Sequence, residues 1–247
     1  MAGGSGEERI VTAALLVIGD EILSGRTEDK NIAAIARHLN EIGIRLREVR
    51  VVPDDEGEIV AAVNALRARF AYLFTTGGIG PTHDDITADS IAKAFGVTID
   101  VDPKAKSLLL EHYRRRGVDL TPARLRMARI PAGASLIENP VSGAPGFRIG
   151  NVIVMAGVPS IMRAMLDAVT PELETGRPLL SVTIAVDRPE SEIADAFAAQ
   201  QRRFADVAMG SYPRLANGRP VADLVLRSLD AERLEEAAAA LREVLGL

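Results

Sequence analysis

Apolar and polar positions recur in two periods along the chain, and the periods predict its elements. Residues 13–18 form a continuous apolar run closed by Gly19, the pattern of a strand buried on both faces. Ile32, Ile35, Leu39 and Ile42 follow at helical spacing, with Gly43 as a stop. Over 46–52, Val49 and Val51 alternate with charged neighbours, which predicts a strand broken by Pro53, Asp54 and Asp55. Asp55 with Glu58 resembles a capping box, and Ile59, Val63, Leu66 and Phe70 continue at helical period. Residues 72–75 predict a third strand. A glycine-rich loop over 76–85 comes next, then a helix ending at Phe95 and Gly96.

This alternation predicts an α/β fold, a mainly parallel sheet with helices on both faces. Helices are expected over 103–116 and, shorter, over 122–129. Gly150-Asn151 between 147–149 and 152–156 reads as a two-residue hairpin turn, so the sheet is expected to be mixed. Residues 157–160 lead into a helix reaching about Val169, and 170–178, with two prolines and a glycine, read as a linker. Beyond it the pattern restarts: a strand over 181–186, a helix capped by Ser191, strands over 207–212 and 221–228 about an Asn217-Gly218 turn, and a last helix capped by Asp230. That β-α-β-β-α order predicts a small two-layer second domain. The expected boundaries are 9–173 and 179–247.

Composition narrows the function. Cysteine is absent, which removes disulfides, thiolate metal sites and Cys nucleophiles and suits a reducing, cytoplasmic location. A net charge of −5, with Lys and Arg dispersed, argues against a nucleic-acid or polybasic membrane surface but leaves room for a small anion pocket. No apolar run approaches the roughly 20 residues of a membrane helix. The polar, glycine-rich residues 1–8 read as a flexible tail, with no signal-peptide pattern.

The candidate chemistry centres on Thr76, Gly77, Gly78, Gly80, Pro81, Thr82, His83, Asp84 and Asp85. Glycines directly after a strand let backbone N–H groups face a ligand, and the next helix N-terminus favours negative charge. This predicts an anion cradle at the carboxyl edge of the sheet. The alternative is a tight strand-to-helix turn with Asp84 and Asp85 as caps. Acids beside a phosphate suggest a bridging divalent ion, Mg²⁺, with Asp84 and Asp85 as ligands and Asp54 as a further catalytic acid. Asp20 and Glu21 close the first strand and should face the same edge. Asn139, Ser142 and Gly143 lie in a loop able to line the pocket. Gly157, Pro159 and Ser160 offer a second anion site at a helix start. His38 and His112 read as helix-surface residues.

The ordered set 19–25, 51–55, 76–85, 139–147 and 157–160 resembles the amino-terminal region of the competence/damage-inducible protein A (CinA) family, within the molybdopterin-binding (MoaB/Mog-type) superfamily. The resemblance implies a three-layer α/β/α sandwich over about 9–173, followed by the small domain. It implies a glycine-rich loop holding a pterin phosphate, with functional aspartates at Asp54 and at Asp84 or Asp85. It also implies divalent-metal-dependent pyrophosphatase activity on ADP-ribose-like nucleotides, a small-molecule nucleotide or pterin-phosphate ligand, and a homo-oligomer, dimer or trimer. The family pattern has an acid where this chain has Ile161. Three functions are therefore open: a pyrophosphatase, a molybdopterin-binding protein, and a non-catalytic oligomeric module.

Overall fold

The computed structural model describes residues 10–247, which form two compact units meeting at Gly176 and Arg177. The expected flexible start lies outside the described residues, as does Arg9.

The first unit runs β1 (Val11–Ile18), α1 (Asp20–Leu23), α2 (Asn31–Glu41), β2 (Ile44–Val52), α3 (Glu56–Arg67), β3 (Tyr72–Thr76), α4 (Thr87–Phe95), β4 (Ile99–Val101) and α5 (Pro103–Arg115). It continues with α6 (Pro122–Leu125), a 3-10 turn (Arg126–Ala128), β5 (Arg129–Pro131), β6 (Ser135–Ile137), β7 (Gly146–Ile149), β8 (Val152–Met155) and α7 (Pro159–Val169). Six strands make one sheet in the order β2-β1-β3-β8-β7-β6. The first four are parallel, and β7 and β6 are added by antiparallel pairing.

Alternation along the central strands builds two cores. Ala14, Leu16, Ile18 and Leu73 face α3, α4 and α5, whereas Leu15, Val17 and Phe74 face α2 and α7. That is why β1 reads as an unbroken apolar run: neither face meets water. The three-layer α/β/α sandwich expected from the sequence is the architecture observed.

Local signals operate as expected at several ends. The Asp55 side chain accepts from Glu58 N at 3.0 Å, and Gly96 closes α4 in the left-handed region, φ 66°. The Gly150-Asn151 turn joins β7 to β8, with Ile149 opposite Val152. Asn151 Nδ2 also donates to Arg67 O at 2.9 Å and Phe70 O at 3.0 Å, tying the end of α3 to the hairpin.

Two expectations are corrected. The helix read over 122–129 is only α6 and a 3-10 turn, and Arg129 begins β5, paired antiparallel with β4. Ser191 is not the cap of its helix: that helix begins at Glu190 after Pro189, and no side chain caps it. The second unit is β9 (Leu180–Val186), α8 (Glu190–Arg203), β10 (Ala208–Ala216), β11 (Arg219–Ser228) and α9 (Ala231–Leu245). Its antiparallel sheet, β10-β11-β9, packs Ile184, Leu224 and Leu226 against Phe204, Leu234 and Leu241.

Leu15 has no exposure at the centre of the sheet. Leu15→Ala is expected to destabilise the first unit by about 2–5 kcal/mol in urea-unfolding measurements.

Candidate functional site

The strand order places the site. From β1 the chain goes to β2 on one side, and from β2 it crosses back to β3 on the other, so the carboxyl ends of β1 and β3 flank a topological switch point. Open α/β sheets bind ligands in such crevices. The segments after β1, β2, β3 and β8 all emerge on this edge, and β7 begins there.

The glycine-rich loop is shaped by close approaches. Gly77 has φ 102°, and a Cβ there would lie 2.1 Å from Ile18 O. Gly78 has φ 65°, and a Cβ there would lie 2.2 Å from Thr87 Oγ1. Thr87 fastens the loop from the other end, donating its hydroxyl to Gly77 O and its N–H to Gly78 O, both at 3.0 Å. The cradle is therefore narrower than expected. Gly77 N donates to Met155 O at 3.2 Å and is not available to a ligand. The N–H groups of Gly78, Ile79 and Gly80 have no partner among the described residues. Thr76 is sealed in the core, 2% exposed, so its side chain does not reach a ligand.

The acids divide into two groups. Asp54 Oδ2 accepts from Asp20 N at 3.0 Å, which ties the ends of β1 and β2. Partial burial raises the Asp54 carboxyl above its ordinary value, against the lowering by that hydrogen bond, and the charges of Asp20, Glu21 and Asp84 raise it further. Asp85 turns the other way. Its Oδ2 receives Thr82 N at 2.8 Å and Thr82 Oγ1 at 2.6 Å, and its carboxylate lies over Gly80. Pro81, Thr82 and Asp84 are exposed. Asp84 and Asp85 thus do not converge as a pair. Among the described residues no three His, Asp or Glu side chains form a group able to hold a metal ion. The donor set does not fit a resident Mg²⁺.

Asp85 lines a small cleft beside the loop, with about 20 Å³ of free space, together with Gly78, Gly80, Arg126, Arg129 and Pro145. Neither arginine stands out in the sequence, where both fall in a stretch that reads as a helix. Only the 3-10 turn and β5 bring them to the loop. Arg129 is fixed by Asp89, Nη1 to Oδ2 at 2.7 Å and Nη2 to Oδ1 at 2.6 Å.

The 139–147 loop contributes differently from expectation. Asn139 is buried, and its amide serves its own loop: Nδ2 donates to Ser142 Oγ and Ala144 O, and Oδ1 accepts from Val141 N and Ser142 N. Gly143 packs on the His112 side chain of α5, at 2.5 Å from where its Cβ would stand. Asn139, Ser142 and Gly143 therefore shape the loop, and Pro145 is the part that meets the cleft. Gly157 backs the glycine-rich loop, 3.3 Å from Gly77 Cα for an added Cβ, and its carbonyl accepts from Asn31 Nδ2 at 2.7 Å. Pro159 opens α7 in its first turn, and Ser160 is exposed there.

Comparison with known proteins agrees with this architecture. Residues 14–175 match the family described as "Probable molybdopterin binding domain", and residues 178–246 match "FAD synthase, middle domain". A protein of Aeropyrum pernix is 35% identical over 237 residues, covering 92% of this chain and 88% of that one. One of Pyrobaculum arsenaticum is 39% identical over 191 residues, covering 74% of this chain and 72% of that one. The solved structure of the protein CinA with unknown function from Thermoplasma acidophilum is 38% identical, has a TM-score of 0.60, and covers 65% of this chain and 96% of that one. The chain belongs to the molybdopterin-binding-domain family and is CinA-like, with a second, FAD-synthase-middle-type unit. Among the described residues no helix is long and apolar enough to cross a membrane.

Two predictions follow from this geometry. Gly96→Ala meets open space and carries only the left-handed backbone cost, about 1–2 kcal/mol. Gly77→Ala adds a clash with the Ile18 carbonyl, an overpacking cost of about 1–3 kcal/mol beyond that, so its midpoint in urea should fall further. Asp54→Asn keeps an acceptor for Asp20 N and removes the charge. Because the folded-state value of Asp54 is raised, its ionised form weakens the fold at pH 7, and below about pH 4 the group is protonated folded or unfolded. Asp54→Asn should raise the first unit's melting midpoint at pH 7, with the gain over wild type vanishing near pH 3.

Proposed function

We propose that the chain binds a phosphorylated pterin, molybdopterin, at the carboxyl edge of the first unit. The ligand's phosphate sits on the N–H groups of Gly78, Ile79 and Gly80, and the rest of the ligand extends outward over the open carboxyl edge of the sheet. One observation carries the reading: three consecutive backbone donors, without partners among the described residues, stand beside a cleft at the switch point of the sheet. Family membership supports the choice of ligand.

A ligand that binds only the folded state raises its melting temperature, by about 2.7 kcal/mol of stability at a hundredfold excess over Kd. Molybdopterin, added to the full chain under anaerobic conditions, should give such a shift, and inorganic phosphate a smaller one. No shift with molybdopterin at any concentration up to millimolar sinks the proposal.

Hydrolysis of an ADP-ribose-like diphosphate is the second reading. Asp54 favours it, since a carboxylate made more basic by burial and neighbouring acids suits proton transfer. No step is assigned to Mg²⁺, for which the described carboxylates do not converge. AMP released from ADP-ribose by wild type with added Mg²⁺, and lost in Asp54→Asn, would support hydrolysis. No release under those conditions removes it and leaves the binding reading intact.

A further inference from the structure

Arg126 is the charged side chain in the cleft that the fold leaves without a partner. It sits on the 3-10 turn between α6 and β5 and lines the same cleft as Gly78 and Gly80. Its Nε is buried and makes no hydrogen bond. No described carboxylate lies within ion-pair distance of it. The neighbouring charges are already matched: Arg129 with Asp89, and Asp85 with the N–H and hydroxyl of Thr82. A buried donor on a cation is costly to leave without a hydrogen-bond partner.

The other side of the balance is the ligand. A phosphate on the loop would meet three neutral N–H donors in a protein of net charge −5, with Asp85 over Gly80 and Asp84 exposed on the same loop. Backbone donors alone do not neutralise a dianion in that setting. A guanidinium, with its fixed fork of donors, pairs with phosphate through two parallel hydrogen bonds. We infer that Arg126 is the phosphate-neutralising residue of this cleft, receiving the same phosphate group that the N–H groups of Gly78, Ile79 and Gly80 hold. The inference rests on the binding reading above and assigns it a charged residue outside the glycine-rich motif.

The test is calorimetric titration of the full chain with inorganic phosphate at pH 7.5 and low salt. Arg126→Met and Arg126→Gln should weaken binding about tenfold or more, and Arg126→Lys should recover most of the loss. Arg114→Met, which removes an exposed arginine elsewhere, should bind as wild type does. Binding by wild type should weaken with added salt more steeply than binding by Arg126→Gln, a readout that a purely structural role would leave unmoved. Melting curves of the variants separate misfolding from lost binding. If Arg126→Gln melts as wild type and binds phosphate equally well, the assignment of Arg126 is overturned while the loop site stands. If Arg114→Met loses as much affinity as Arg126→Met, only diffuse charge is at work and the assignment again fails. If wild type binds no phosphate at all, the loop site and its arginine fall together.

Discussion

The close packing of Gly77 on the Ile18 carbonyl is the constraint on which the site depends. Across the switch point nothing but backbone separates the ends of β1 and β3, because any side chain at Gly77 would strike Ile18 O. Gly157 presses on Gly77 from the end of β8, and Thr87 holds the loop from the start of α4. The loop is thus fixed by three neighbours, and this fixes where its free N–H groups stand. Preorganised donors bind an anion without first paying to order themselves.

Charge is sorted about that loop. On the β1-β2 flank, Asp54, Asp20, Glu21 and Asp84 lie close enough to raise the Asp54 carboxyl. On the β5 flank, two arginines face the cleft, one neutralised by Asp89 and one not. An anion approaching the N–H groups is repelled by the first flank and drawn to the second. On the proposed binding reading, that polarity would orient a phosphoester with its phosphorus on the loop and toward Arg126 and the acids behind it. Acids massed where they weaken the fold are the kind of local cost that proteins retain for a binding or chemical task.

The larger elements were legible because their signals are local. The run that forms β1, the Asp55 cap and the Gly150-Asn151 turn each act within a few residues, and each is present in the structure. The strands missed are β4, β5 and β6, three residues apiece, too short to display a period of two. β4 and β5 exist by pairing with each other across about thirty residues, and β6 by pairing with β7. Within the site, the glycines were readable because only glycine adopts the Gly77 and Gly78 geometry without strain. Asn139 is ambiguous in the sequence because a short amide satisfies its own turn, as it does here, as readily as a ligand. Arg126 carried no signal: an arginine in an apparent helix looks solvated, and only the turn before β5 buries its Nε.

The two aspartates of the loop, although adjacent, meet different surroundings. Asp85 is held by two donors from Thr82, three residues earlier, which closes the turn leading into α4. Its carboxylate then stiffens the loop over Gly80 and faces the cleft with one oxygen already satisfied. Asp84, one residue before, is exposed and close enough to Asp54 to act on it through charge. The two consecutive acids thus face different flanks. The pair that the sequence presents as a single chelating unit is therefore split in the fold, Asp85 toward the cleft and Asp84 toward Asp54.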